Sequence, residues 1–215
     1  MTLAVISSTH HSVHSLDMVN RHILDFKLQT NPNWKLSIIH DGPNDQYFED
    51  DLIDDVRVKY IQTDENKGNY GHYWRNFYLQ KVPTTPYYWF DRHTETSVIQ
   101  PPSCVMLMNS DSQVAPVLVE KVLEAFEDEN TDVCMWRSGG HHHYDYNDIP
   151  RELWLQTNHC DFASFAVRTE IGQKAGQAIT WEAFASDGEY AEAIFAIVKD
   201  PMRVRVLSCG LYFQN

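Results

Sequence analysis

Leu3-Ala4-Val5-Ile6 is a short apolar run that stops at the polar Ser7-Ser8-Thr9-His10, the pattern of a buried strand ending in a loop. From Ser12 to about Gln29, Leu16, Val19, Ile23 and Phe26 return near helical spacing, and Asn31-Pro32 closes the segment. Trp34 to Ile39 is apolar and β-rich again and stops at His40-Asp41-Gly42-Pro43. Strand, helix and strand in close succession predict the βαβ unit of a parallel sheet. An acidic stretch from Tyr47 to Asp54 predicts a helix, Val56 to Ile61 a strand, and Gly71 to Gln80 a helix after the polar loop Asp64 to Asn69. Pro83, Pro86, Pro101 and Pro102 bracket a segment of little period, predicted as an irregular excursion, before Val105-Met106-Leu107-Met108 makes a strand into Asn109-Ser110-Asp111. Beyond it the pattern predicts an amphipathic helix over Pro116 to Glu129 and a strand over Val133 to Trp136. After the histidine-rich segment Gly139 to Asp148, it predicts a strand over Phe162 to Val167, helices over Ile171 to Gln177 and Gly188 to Val198, and a strand over Arg203 to Leu207.

Alternation of helices and strands favours an α/β architecture, a central mostly parallel sheet flanked by helices. With 215 residues and 43% hydrophobic content the chain suits one core, so residues 1–215 are expected to form a single domain, free-standing or part of a longer polypeptide. A formal net charge of −13 would repel a phosphate backbone, which argues against nucleic acid as a partner. Binding an anionic ligand would therefore need a metal ion or helix ends. The four cysteines are scattered without a CxxC pair and are expected as reduced thiols. Neither a signal peptide nor an apolar run long enough to span a membrane is visible, and a cytoplasmic location is expected.

Ligands of open α/β sheets lie beyond the carboxyl ends of the strands, so the first candidates are Ser8-Thr9-His10, Asp41-Gly42, Asp64 to Asn69 and Asn109-Ser110-Asp111. No G-x-G-x-x-G and no P-loop follows the first strand, which argues against a dinucleotide enzyme or a P-loop nucleotidase. Asp41-Gly42 taken alone is first of all a turn, and an aspartate before a helix, such as Asp187, is first of all a cap. Adjacent side chains of His141-His142-His143 point to opposite sides of an extended segment, so a polar loop near an acceptor suits them better than a metal centre.

Taken in order, these pieces resemble glycosyltransferase family 2 and related GT-A enzymes over nearly the whole chain. Ser8-Thr9-His10-His11, Asp41-Gly42-Pro43 and the run from Asn66-Lys67-Gly68 to Arg75-Asn76 stand where that family has its T-Y-N-like loop, its D-G-S aspartate and its N-x-G-x-x-x-x-R-N helix start. Asn109-Ser110-Asp111 stands at the DxD element, and Ser186-Asp187-Gly188-Glu189-Tyr190 at the catalytic-base position. The resemblance implies a GT-A (nucleotide-diphospho-sugar transferase) fold and a hexosyltransferase-type enzyme. Its donor would be a nucleotide sugar, a UDP-sugar by the family's usual choice, and its acceptor a hydroxyl of a glycan or glycoprotein. It further implies nucleotide contacts from Ser8, Thr9, His10, Asp41, Gly68, Arg75, Asn109 and Ser110, and a Mn²⁺ or Mg²⁺ ion at Asp111. Asp187 becomes the general base if the reaction inverts the anomeric centre. Asp161, His143 and Trp89 are candidate contacts for sugar or acceptor.

The chain departs from the family pattern in having one carboxylate, Asp111, in the DxD element, and Phe213-Gln214-Asn215 where a terminal His-Asn is usual. Residues Tyr87 to Ser103 also lengthen the path into the DxD strand. A finer likeness links it to glycosyltransferase domains of large DNA viruses of algae, which would act in host cytoplasm. Competing readings are a metal-dependent hydrolase or nucleotidyltransferase, and a non-catalytic carbohydrate-binding relative.

Overall fold

In the computed structural model, residues 1–10, 12, 14–43, 54–68, 71–85, 87–89, 97–139, 161–182 and 186–213 are described. The chain opens with β1 (Leu3–Thr9), α1 (Leu16–Lys27), β2 (Trp34–His40), β3 (Val58–Gln62) and α2 (His72–Leu79). Two short strands, β4 (Tyr87–Trp89) and β5 (Ser97–Ile99), pair antiparallel, so the segment expected to be irregular contains a ladder of its own. Pro83, Pro101 and Pro102 sit outside those two strands, where a missing N–H costs the ladder nothing. There follow β6 (Cys104–Asn109), β7 (Gln113–Val114), α3 (Leu118–Phe126), β8 (Val133–Gly139), β9 (Phe165–Arg168), α4 (Thr169–Gly176), α5 (Ser186–Val198) and β10 (Val204–Phe213). The helix expected over Tyr47 to Asp54 lies almost entirely outside the described residues.

The main sheet has eight strands in the order β3-β2-β1-β6-β9-β8-β10-β7. β1 pairs in parallel with β2 on one side and β6 on the other, while β9 runs antiparallel between β6 and β8. Strand side chains alternate between faces, and both faces of this sheet are covered. Leu3 and Val5 of β1 join one core with Val19, Ile23 and Phe26 of α1 and Val119, Val122 and Phe126 of α3. Ala4 and Ile6 join the other, with Leu79 of α2, Ala175 of α4 and Tyr190, Ile194 and Val198 of α5. Continuous apolar runs such as Leu3 to Ile6 and Val105 to Met108 therefore arise from burial on both sides. α1 begins later than the apolar spacing suggests, because Ser15 is its N-cap and accepts from Met18 N at 3.3 Å.

The helices of the second core pack closely. A Cβ on Gly172 would stand 2.8 Å from the Tyr190 hydroxyl and 3.0 Å from methyls of Val105 and Val167. Among the described residues no helix is long and apolar enough to cross a membrane. Cys104 and Cys134 are free and buried, and burial pushes the Cys104 thiol up to about 12.

Candidate functional site

β1, β2 and β6 end side by side, with Ser8 opposite both Ile39 and Asn109 and Thr9 opposite His40. The chain leaves β1 for β2 on one side, whereas β6 arrives on the other, and this divergence opens a crevice at the strand ends. The crevice holds a cavity of about 520 Å³. Ser8, Thr9, His10, Asp41, Gly68, Asn109 and Asp111 line it, joined by Ser12, His14, Asn66 and Gly71. Residues as far apart in sequence as Ser8 and Asp111 thus share one wall.

Asp41 is buried, and its Oδ1 accepts from Lys67 N at 2.7 Å and from Trp74 Nε1 at 2.8 Å. These bonds tie the end of β2 to the loop ahead of α2 and fix the carboxylate's orientation. Gly42 follows at φ +98° with its N–H donated to Thr63 Oγ1, so the strand end turns away sharply. Asn66 Oδ1 accepts from Gly68 N, which turns its amide nitrogen toward His10 Nε2 at 2.7 Å. The His10 ring stacks on His40 with centroids 5.7 Å apart.

Gly71 precedes α2 at φ +75°, and a Cβ there would stand 2.5 Å from Ser8 Cβ and Oγ. Left-handed backbone and overlap with β1 act together, so Gly71→Ala is expected to cost about 2 kcal/mol or more. A thermal melt of the variant should be lowered by several degrees, and an unchanged melting temperature would contradict the packing.

Ser110 and Arg75 take positions behind the cavity wall. Both side chains are buried and neither lines the cavity. Ser110 Oγ donates to Ser8 O at 3.2 Å and stitches β6 to β1. Arg75 donates to Met108 O at 3.2 Å, to His72 Nδ1 at 2.8 Å and to Asn109 Oδ1, and its guanidinium lies over the Phe162 ring at 5.3 Å. It holds Asn109 from within the core. Because Arg75 donates to Nδ1, the His72 proton resides on Nε2; burial first and Arg75 second depress this imidazole to about 3.

Asp187 lies in the first turn of α5, one residue inside the helix, where its Oδ1 accepts from Gly188 N at 2.8 Å. Burial raises its pKa most. The Gly188 N–H and Arg75 pull it down, and the neighbouring Asp161 charge pushes it up. Asp161 caps the 3₁₀ turn Phe162–Ser164 through a bond from Ala163 N at 2.8 Å. Asp187, Asp161 and Arg75 therefore feel one another's charge, although neither acid lines the cavity. His143, like the rest of the His141-His142-His143 cluster, lies outside the described residues, and of Trp89 the backbone in β4 is what is described.

Two histidines at the site, His14 and His22, carried no distinguishing signal in the sequence. His14 enters the cavity with Nε2 at 3.7 Å from Asp111 Oδ2. Burial is the largest influence on its imidazole and lowers its pKa against the pull of Asp111. His22 of α1 is fully buried, donates Nδ1–H to Ser112 O at 2.8 Å and accepts from Ser7 Oγ at 2.9 Å. It thereby anchors the turn after Asp111 to α1 and β1, and burial depresses it to about 4.

No family model and no curated protein matches the sequence. Among solved structures, S. aureus TarS 1-349 in complex with UDP-GlcNAc superposes with a TM-score of 0.71 at 13% identity, covering 99% of this chain and 58% of that one. The same protein in complex with UDP gives 0.68 at 14% identity, with 99% and 60% covered, and the longer TarS chain gives 0.69 at 14% identity, with 100% and 37% covered. The chain shares the fold of S. aureus TarS. The GT-A fold expected from the order of strand-end motifs is thus the fold observed, an α/β sheet flanked by helices. This chain spans between 37% and 60% of the length of the TarS chains it matches.

Proposed function

We propose that this chain is a glycosyltransferase domain that transfers a sugar from a nucleotide-diphosphate donor, a UDP-sugar, to a hydroxyl of a glycan or glycoprotein. The observation that carries the reading is the cavity at the ends of β1, β2 and β6, where Ser8, Thr9, His10, Asp41, Gly68, Asn109 and Asp111 converge. Support comes also from the fold, shared with a protein crystallised with UDP and with UDP-GlcNAc.

In this reading Asp41 accepts hydrogen bonds from the base or ribose. Its Oδ1 is engaged by Lys67 N and Trp74 Nε1, and Oδ2, without a partner among the described residues, is the atom available to a ligand. Ser8, Thr9 and His10 line the same pocket, while Arg75 and Ser110 position Asn109 and the β1 end. A Mn²⁺ or Mg²⁺ ion suits the hard oxygen donor of Asp111, which faces the cavity. Among the described residues no group of three or more His, Cys, Asp or Glu side chains forms a metal cage, so the donor diphosphate and water complete the shell. The bound ion would offset the charge of the departing diphosphate. Asp187 acts as the base that takes the acceptor proton in an inverting transfer, and Asp161 and Arg75 tune it.

Asp41→Asn is expected to weaken UDP binding by about 10-fold to 100-fold, the usual cost of losing a charge-assisted hydrogen bond. Isothermal titration with UDP checks this, with circular dichroism confirming the fold. Incubation with UDP-, GDP- and dTDP-sugars plus Mn²⁺, followed by detection of free nucleotide, tests the whole reading. Absence of both nucleotide binding and donor turnover would sink it, and binding without turnover would favour a non-catalytic relative.

A further inference from the structure

We propose that His14 is a protein ligand of the divalent cation at the Asp111 site, standing in for the carboxylate absent from the first position of Asn109-Ser110-Asp111. This inference rests on the nucleotide-sugar reading above. The first position is otherwise engaged, since Asn109 Oδ1 accepts from the buried Arg75 guanidinium. A second donor must come from elsewhere in the fold. His14 supplies it from the turn ahead of α1, held there by a bond from its own N–H to His10 O at 2.8 Å.

The hydrogen bonds around the ring decide which nitrogen faces the site. His14 Nδ1 lies 3.3 Å from both Thr9 Oγ1 and Ser110 Oγ. Ser110 Oγ can donate to Ser8 O and so accept from His14, which accommodates the tautomer with its proton on Nδ1 that a metal-ligating Nε2 requires. In that tautomer Nε2 presents a lone pair, and what Nε2 faces at 3.7 Å is Asp111 Oδ2. Two Lewis bases opposed across a short gap, both on the cavity wall, are an arrangement that a cation between them stabilises. Donor atoms bound at about 2.0–2.2 Å to one small divalent ion stand roughly 3 to 4.4 Å apart, and the observed separation falls inside that interval. The outward hydrogen bonds of Nδ1 are those that orient a ligating histidine and raise its basicity. An imidazole beside a carboxylate also favours Mn²⁺ over Mg²⁺, because nitrogen is the softer donor.

Pulsed EPR of the protein loaded with Mn²⁺, with and without UDP, reads the ligand directly. The wild type and His10→Ala should display hyperfine coupling from an imidazole nitrogen, and His14→Ala and His14→Asn should lose it. In UDP titrations the gain in affinity on adding Mn²⁺, taken as the ratio to each protein's own metal-free affinity, should fall by about 10-fold or more in both His14 variants. Bound Mn²⁺ without imidazole coupling in the wild type, or an undiminished Mn²⁺ gain in His14→Ala, would overturn the assignment. A wild type that binds no UDP would instead remove the nucleotide-sugar reading, and the spectrum with Mn²⁺ alone would still decide His14. Because the coupling is sought in the wild type, and its persistence in His10→Ala excludes the other histidine that lines the cavity among the described residues, the result does not hang on the folding of the His14 variants.

Discussion

Asp187→Asn is expected to lower sugar transfer by a factor on the order of 10² to 10⁴, the usual contribution of a positioned base, while UDP affinity stays within about twofold of wild type. The split follows from the architecture. The residues proposed to hold the nucleotide lie at the ends of β1, β2 and β6, whereas Asp187 stands on α5 and does not line that cavity. The amide keeps the bond from Gly188 N and nearly the same volume, so the helix start should survive. Steady-state kinetics beside a UDP titration check the pair of outcomes. Transfer near the wild-type rate would remove Asp187 from the base role.

A companion change tests why this acid is suited to the task. Burial and the Asp161 charge both raise the Asp187 pKa, so the ionised base is lost earlier as pH falls. Asp161→Asn keeps an oxygen for Ala163 N but removes the like charge, and the acid limb of the pH–rate profile should move to lower pH. An acid limb that stays in place would separate the two residues.

Stability is expected to fall as pH drops from about 6.5 toward 4, chiefly through His22 and His72. Both are neutral in the fold, at about 4 and about 3 against 6.5 for an open histidine. Between those values the unfolded chain binds protons that the folded chain refuses, so stability is full above 6.5 and is withdrawn as pH falls through the folded values. With about 1.4 kcal/mol per pKa unit, His22 alone accounts for roughly 3 kcal/mol and His72 for a comparable amount. Asp25 and Asp187, whose pKa values are raised, titrate in the opposite sense and offset part of this at the acid end. Urea unfolding at pH 7, 5.5 and 4.5 should give this decline, and His22→Gln should have a shallower one from a lower starting stability. A flat profile across that window would mean that the two rings are not held neutral.

The same residues mark how far the chain can be read without its structure. Apolar runs at Leu3 to Ile6, Trp34 to Ile39 and Val105 to Met108 each became a parallel strand, and Asp41 and Asp111 were legible as candidates because they follow such strands directly. Ser110 was placed with its neighbours on position alone. Alternation past the end of β6 separates them, because Asn109 and Asp111 face the cavity while Ser110 turns toward the Ser8 carbonyl. Arg75 matched a motif at a helix start, yet the face it occupies on α2 is the one packed on the sheet. His14 and His22 sit in a loop and on a helix stripe, where nothing local distinguishes a ligand-facing side chain from a core or surface one.

Periodicity and punctuation by themselves determined the α/β alternation, the strand ends and the order of motifs along them, because backbone geometry imposes periods of two and 3.6 on any sequence that must bury one face or both. Tertiary structure alone decided which polar groups meet. The insertion of β9 against β6, the approach of Gly71 to Ser8, and the convergence of His14 on Asp111 depend on sheet order and helix packing between segments remote in sequence. Such contacts are set by the shape of the whole core, which local pattern does not encode.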